Sequence, residues 1–340
     1  MKPFADLSYG GQVKRLKQLA QKALLNYNLG SVDLVSLDHG ENTTFKVKVR
    51  STRSSQTLTE PNQWYVLRIY RANKHNIAAI HSELLWLMSL LRETDLVVPK
   101  PVPTQSGSLF ALVEVAGVPE PRCCALFRWL GGRSVKAGLN VRLMERIGYF
   151  LARLHQYSQQ FVPPKGFVRP KLDEDGLLGA FPISLPIESE ILSPQNQAVM
   201  QAAALQIRDR MQCLEQRFET FGLIHSDLHL GNCKFHQDKV QVFDFDDCGW
   251  GYYLYDLAVT LYYLRNRSDF PALRQALLEG YQQQFSLPKQ HEFYLEAMIA
   301  ARRLHLMRDL FLRQDNPKLR VLIPKYIDAS IEEMKKFLNQ

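Results

Sequence analysis

The chain has 340 residues, 46% of them hydrophobic and 22% charged, with a net charge of +8 and a sequence pI near 9.2. Such a length holds two lobes and a large core, and the positive balance suits an anionic ligand such as a nucleotide, or simply a basic surface. The sequence argues against a membrane span, a structural zinc site and nucleic-acid binding: no apolar run reaches the roughly 18 residues of a span, no C-x-x-C pair occurs, and no compact Lys/Arg run stands out.

Residues 9–27 place Val13, Leu16, Leu19, Ala20, Ala23 and Leu24 on one helical stripe, which Gly30 ends. Residues 32–37 predict a short strand, and residues 45–49 alternate as an amphipathic strand. The turn between them contains Gly40, Glu41 and Asn42. With a single glycine it is a weak phosphate loop, and an ordinary hairpin is the simpler reading, although backbone N–H groups can bind phosphate without several glycines. A polar loop is expected over residues 51–63, then a strand over 64–70 that carries Arg68. Residues 76–91 are helical, with Ile77, Ile80, Leu84, Leu87 and Leu91 on one face and Glu83 beside them. An Arg68–Glu83 ion pair would fix a phosphate-facing cation; the alternative is a solvated surface glutamate.

Three prolines keep residues 97–103 extended. Residues 109–115 and 124–130 read as two further strands, and Gly131-Gly132 as a flexible joint. The lobe boundary is placed there, giving lobes of residues 1–130 and 131–340. The backbone around Phe127 and Trp129 is the natural adenine edge of the first lobe; an edge strand with nothing bound is the alternative.

The second lobe reads as mostly helical. A helix over 141–156 ends at His155, which caps it or packs locally. The prolines of residues 161–194 break every helical pattern, so that segment is a substrate-covering insertion or a plain loop. Residues 195–221 return to helix, as do 254–264, 272–284, 291–313 and 318–338. The fold class expected is α+β: a small antiparallel-sheet lobe and a larger helical one.

Between the helices lies the stretch that carries chemistry. His225-Ser-Asp227 is followed by Asn232, and the apolar run Val240–Phe243 leads into Asp244, Asp246 and Asp247. It reads as loop, turn, strand and loop. Phosphoryl transfer needs a carboxylate to orient a hydroxyl, and an amide and a carboxylate to hold Mg²⁺ on the phosphates of ATP. Asp227 fits the first role, Asn232 and Asp244 the second. A polar turn with Asp227 as a cap accounts for each residue singly, but not for a strand that delivers three carboxylates to one loop. A second chemistry, a metal-dependent hydrolase, would use His225, Asp227, His229 and His236 as ligands and leave Asn232 without a role. Asp246, Asp247, Trp250 and Tyr252 follow the metal aspartate; with Tyr253 they hold a cationic amine by charge and cation–π contact, or are packing.

These motifs resemble the aminoglycoside phosphotransferase/choline kinase-like family, from about residue 39 to the last helices. The strongest matches are His225-Ser-Asp-Leu-His-Leu-Gly-Asn232, Phe243-Asp-Phe-Asp-Asp247 and Tyr255-Asp-Leu-Ala258; Gly40-Glu-Asn42, residues 66–71 and residues 150–155 are weaker. The resemblance implies a protein-kinase-like fold, ATP and Mg²⁺ as cofactors, and a hydroxyl-bearing acceptor. It implies that Asp227 is the catalytic aspartate, that Asn232 and Asp244 hold the metal, and that His225 supports the catalytic loop. Asp256 would brace that loop, and Glu83 would be the ion-pair residue. Where the family commonly has a phosphate-binding lysine, this chain has Arg68, which leaves an inactive nucleotide-binding relative as a further reading. The wording is also similar to the bacterial stress-response kinase branch, which acts on protein Ser/Thr. Amino-alcohol, homoserine-like and aminoglycoside-like acceptors are the preferred class. The five cysteines, odd in number, and an N-terminus without a signal-type apolar core predict a cytoplasmic protein.

Overall fold

A computed structural model describes residues 2–50, 64–134, 138–179, 193–312 and 320–340. The polar loop expected over 51–63 lies outside them, as do residues 180–192 of the proline-rich segment and residues 313–319 at the expected helix ends. The chain forms two compact units, Met1–Gly132 with Pro163–Val168, and Arg133–Val162 with Arg169–Gln340. Among the described residues no helix is long and apolar enough to cross a membrane.

Unit 1 is built on an antiparallel sheet. Its strands are β1 (Val32–His39), β2 (Thr43–Val49), β3 (Trp64–Ile69), β4 (Pro101–Val102), β5 (Ala111–Val113) and β6 (Arg122–Arg128), ordered β1-β2-β3-β6-β4 with β5 also on β6. The alternation of β2 buries Thr43, Phe45 and Val47 on one face, as period two requires. Helix α1 (Tyr9–Leu24) starts at Ser8, whose hydroxyl caps Gly11 N–H, and joins Leu16, Leu19 and Ala23 to the core formed with Phe45, Val47 and Leu67. Helix α2 (Ile77–Glu93) is capped by Asn76 on Ala79 N–H. Its buried face contains Ile80, Glu83, Leu84 and Leu87, whereas Ile77, expected there, is 50% exposed.

Unit 2 adds β7 (Arg133–Ser134), α3 (Val141–Gln160), β8 (Lys171–Leu172), α4 (Glu174–Leu178), α5 (Pro194–Cys213), β9 (Phe221–Ile224), β10 (Cys233–His236), β11 (Lys239–Val242), β12 (Gly249–Tyr252), α6 (Tyr253–Tyr262), α7 (Phe270–Gln282), α8 (His291–Leu312) and α9 (Ile323–Leu338). Helices α3 and α7 pack backbone to backbone: a Cβ on Gly148 would meet Leu277 O at 2.1 Å, and one on Gly280 would meet Glu145 O at 1.9 Å. Two small sheets, β11-β10-β7 and β8-β12-β9, frame the loops of the site. Gln237 and Asp238, both at positive φ, close the β10–β11 hairpin, the mirror-image turn that suits the twist of paired strands.

The sequence reading needs four corrections here. Helix α5 ends at Cys213, and Phe221 begins a strand instead of ending a helix. Trp250 and Tyr252 lie on β12, paired with β9 and β8, where a loop was expected. A short helix, α4, forms inside the proline-rich segment, capped by Asp173 on Gly176 N–H. His155 sits inside α3, fully buried, because α3 runs on to Gln160. The five cysteines are free thiols; Cys213 is exposed and the other four are buried.

Candidate active site

In unit 1, Arg68 points from β3, opposite Thr44 of β2 and Ala125 of β6. Its guanidinium donates to Glu83 Oε1 at 2.7 Å, and the Tyr70 hydroxyl donates to Glu83 Oε2 at 2.9 Å. Glu83 is therefore not a solvated surface residue: it is fully buried, and both its oxygens are engaged. The rings of Phe127 and Tyr70 lie 5.1 and 5.6 Å from the guanidinium. Burying this charge is tolerable because a hydrogen-bonded partner meets it.

Two sequence assignments in unit 1 change. The N–H groups of Arg128 and Trp129 donate to Lys100 O and Trp64 O at 2.9 and 3.0 Å, and Phe127 lies between β3 and β4. The Trp129 N–H of the expected adenine edge is thus taken up by the sheet, and Lys46 lies over the Trp129 ring at 4.4 Å. In the turn, Gly40 N–H donates to Asn42 O at 3.2 Å, while Asn42 Oδ1 accepts from Arg71 N–H at 3.0 Å. Gly40 and Asn42 fasten the turn to the end of β3, which leaves the Gly40 N–H no proton for phosphate.

In unit 2, the loop after β9 carries His225, Ser226 and Asp227, and a single 3₁₀ turn, Leu230–Asn232, brings Asn232 back to it. The His229 ring caps that turn by accepting from Gly231 N–H at 2.9 Å. Asn232 Nδ2 donates to Asp227 O at 3.0 Å and faces Asp227 Oδ2 at 3.4 Å. This fixes which end of the amide carries nitrogen and presents Oδ1 on the other side. Phe243 N–H donates to Asn232 O at 3.0 Å, so Asp244 follows directly behind the asparagine. Asp244 adopts φ 68°, a left-handed backbone that costs a non-glycine residue of order 1 kcal/mol and persists only where its surroundings impose it.

His225 and Asp256 hold the loop. Asp227 N–H donates to His225 Nδ1 at 3.2 Å, so Nδ1 is the acceptor and Nε2 carries the proton, which it donates to Phe243 O at 3.1 Å. One ring thereby ties the Asp227 loop to the Asp244 loop. Asp256, from the first turn of α6, accepts from His225 N–H at 2.8 Å and from Ser226 N–H at 2.6 Å. Ser226, at φ 66°, turns the chain between them. His155 Nε2 lies 3.1 Å from Asp256 Oδ2, and His155 Nδ1 lies 2.8 Å from the Tyr281 hydroxyl. Burial pushes the His155 pKa down, and Asp256 only partly opposes this.

The histidines do not form a metal cluster. Both ring nitrogens of His225 are committed to backbone partners, and His229 uses Nδ1 on Gly231. Among the described residues, His225, Asp227, His229 and His236 do not gather as metal ligands. The hard oxygens of Asn232 Oδ1 and Asp244, held in register by the Phe243–Asn232 bond, are the donor type that Mg²⁺ takes.

The residues assigned to an acceptor divide. Asp247 and Trp250 are half-buried, and Asp247 O accepts from the Ser226 hydroxyl at 2.6 Å. Asp246 and Tyr252 are buried. The Tyr252 hydroxyl is 3.3 Å from Glu174, and its ring stands edge-on to Phe221. Tyr252 is therefore packing, because its strand pairing turns it inward. Arg169 donates to Asp246 O and to Cys248 O, the latter at 2.6 Å, and so pins the loop behind Asp244.

Arg302 of α8 is the residue the sequence reading missed. It is buried and donates to Asp227 Oδ1 and, at 2.8 Å, to the Tyr263 hydroxyl. The signal was present: Arg302 and Arg303 interrupt the apolar run Met298–Leu304, where a soluble helix has no reason to place two charges.

Residues 44–294 match the family model described as the phosphotransferase enzyme family, and the chain belongs to that family. Its class is therefore that of phosphotransferase enzymes, and its fold is the protein-kinase-like α+β fold of its structural neighbours. It is 25% identical to amicoumacin kinase of Bacillus subtilis over 207 residues, 59% of this chain. That match spans 57% of the amicoumacin kinase, less than two thirds of its length. Stress response kinase A of Salmonella paratyphi A is 24% identical over 78% of this chain and 76% of its own. Among solved structures, a microcompartment-associated aminopropanol kinase superposes with TM-score 0.81 at 26% identity, covering 95% of this chain and 98% of that one. An amicoumacin kinase in complex with AMP-PNP, Ca²⁺ and Ami superposes with TM-score 0.75 at 21% identity, covering 95% and 96%, and speaks for the fold alone.

Proposed function

We propose that the protein transfers the γ-phosphoryl group of ATP to a hydroxyl of a small amine-bearing molecule, with Mg²⁺ as the metal. The observation that carries this reading is the joined pair of loops, Asp227 with Asn232 on one and Asp244 on the other. In this reading Asn232 Oδ1 and Asp244 hold the ion, which when bound neutralises phosphate charge. Asp227 Oδ2 accepts a hydrogen bond from the acceptor hydroxyl and aims its oxygen at phosphorus. The new O–P bond forms as the bond from the γ-phosphorus to its bridging oxygen breaks, ADP leaves with that electron pair, and the hydroxyl proton passes to Asp227 Oδ2. The proton moves late, so orientation counts for more than basicity. On unit 1, Arg68 is the phosphate-binding cation, oriented by Glu83. His225 and Asp256 act through the backbone to hold the loop.

The names of two relatives support the reading: one relative by sequence is an amicoumacin kinase, and one superposing structure is an aminopropanol kinase. Asp247 and Trp250 are partly open to solvent and of a type that receives an ammonium group. A protein Ser/Thr acceptor is the second reading, favoured by the extent of the match to stress response kinase A. The test is ADP release with Mg²⁺-ATP across amino alcohols, homoserine, aminoglycosides and a Ser/Thr-rich protein, with Asp227→Asn as the blank. Release that depends on a small acceptor and vanishes in the blank supports the first reading. Release only with protein favours the second, and release equal to the blank with every acceptor overturns both.

A further inference from the structure

Asp227 presents two carboxylate oxygens, and the structure gives them different neighbours. Oδ1 is bound by Arg302, whereas Oδ2 faces Asn232 Nδ2 at 3.4 Å and His229 Nε2 at 3.7 Å. Arg302 comes from 75 residues further along the chain, in the middle of α8. Its side chain is 6% exposed, that of Asp227 23%. Burial works against the arginine's charge, but the oxygens of Tyr255, Asp227 and Tyr263 outweigh it and hold the guanidinium firmly protonated.

A buried arginine costs several kcal/mol to desolvate, and a structural one recovers that cost from a buried partner. Its neighbour Arg303 spreads its bonds over several neutral groups: it donates to Ser330 at 2.7 Å, to Tyr262 at 2.8 Å and to Tyr326 O at 3.0 Å, with the part-exposed Glu333 at 3.6 Å. Arg302 differs. Among the described residues the one carboxylate it pairs with is Asp227, whose side chain keeps part of its surface exposed. The guanidinium is held a second time by the hydroxyl of Tyr263, against whose ring His229 stands edge-on at 5.2 Å.

We propose that Arg302 is the positioning residue for Asp227: by occupying Oδ1 it leaves Oδ2 alone to orient the acceptor hydroxyl. This rests on the phosphotransferase reading of Asp227. A planar guanidinium fixes a carboxylate in rotation as well as in place, which an ammonium on a flexible stem does less well.

The test uses the full chain. Arg302→Met should lower kcat about 100-fold, the scale of a carboxylate displaced by about 1 Å, with the KM for ATP unchanged within about twofold. Arg302→Lys should recover part of the loss, and added guanidinium should partly restore an Arg302→Ala variant. A merely structural arginine would lower Tm without that rescue or that split. Independently of turnover, Arg302→Met should cost about 2 °C in Tm more in the wild-type background than in Asp227→Asn. Wild-type kcat in Arg302→Met, or equal Tm losses in the two backgrounds, overturns the proposal. A wild type that releases no ADP with any acceptor removes the functional reading instead, and the Tm comparison alone then decides whether Arg302 holds Asp227.

Discussion

Each unit sets a buried arginine against a carboxylate of the candidate site, Arg68 on Glu83 and Arg302 on Asp227, and the two pairs are finished differently. In unit 1, Glu83 has both oxygens taken, by Arg68 and Tyr70, and is sealed from water. In unit 2, Asp227 is only partly buried: Arg302 takes one oxygen, and the other has longer contacts, with Asn232 Nδ2 at 3.4 Å and His229 Nε2 at 3.7 Å. A saturated carboxylate can only hold its arginine in place. A half-engaged carboxylate has a lone pair to use on something else. An arginine–carboxylate pair thus makes a scaffold in one place and a working group in the other.

The largest expected effect breaks the working pair. Asp227→Asn keeps the shape and removes the charge, and should lower kcat about 10³-fold and, by leaving Arg302 without its carboxylate, lower Tm by about 2 °C or more; ADP release and a melting curve read both. On the other side, Arg68→Ala should take turnover to the same background, and Arg68→Lys should keep most of it. Full activity in the alanine variant would discard Arg68 as the phosphate cation.

The scaffold pair should break the other way, in stability. Glu83→Ala strands a buried guanidinium and should cost about 3 kcal/mol of unfolding free energy. Denaturant titration checks this, and an unchanged midpoint would show that Arg68 finds another partner.

His155 sharpens the comparison, because it is a buried partner of a carboxylate that carries no permanent charge. Its folded pKa lies below the ordinary 6.5, through burial, with Asp256 pulling the other way. The unfolded chain therefore takes up the proton first. The stability that neutral His155 contributes is fully present above about pH 6.5 and is lost as the pH falls from there through the folded value, at up to about 1.4 kcal/mol per pH unit. His155→Phe should flatten that part of the stability profile; an unaltered slope would place the titration elsewhere.

The smallest effect lies away from both pairs. Asp238 sits at φ 64° in the two-residue hairpin turn, where glycine is unstrained. Asp238→Gly should stabilise unit 2 by about 0.5 kcal/mol and leave turnover alone. A loss of stability would show that the ion pairs of Asp238 with Arg142 and Arg146 weigh more than the backbone.

What could be read in the sequence was what is local along the chain. Arg68 and Glu83 are 15 residues apart on consecutive elements, so strand and helix periodicity brings them together. The loop from His225 to Asn232 closes on itself through one turn, and its spacing shows it. Strand β12 could not be seen, because Gly249, Trp250 and Gly251 do not alternate. Its glycines answer to crowding instead: a Cβ on Gly251 would meet Ile224 Cδ1 at 2.5 Å, a contact only the folded sheet reveals. His155 resembled a helix end because polar residues follow it, yet its partners Asp256 and Tyr281 lie 101 and 126 residues away. Arg302 depends in the same way on a helix far downstream. The expected adenine edge was legible only in part: the pattern marks a strand but not which of its N–H groups the neighbouring strands have already used.

The thiols of this chain are unequal in a way that matters at the bench. Burial pushes Cys123 up to about 11 and Cys233 up to about 12, and keeps Cys124 protonated as well. Cys213, at the end of α5, stands in the open. A maleimide dye at neutral pH should attach there first and give a singly labelled reporter at the end of α5. The same sulfur is where two copies would cross-link on ageing in air, and Cys213→Ser would prevent it.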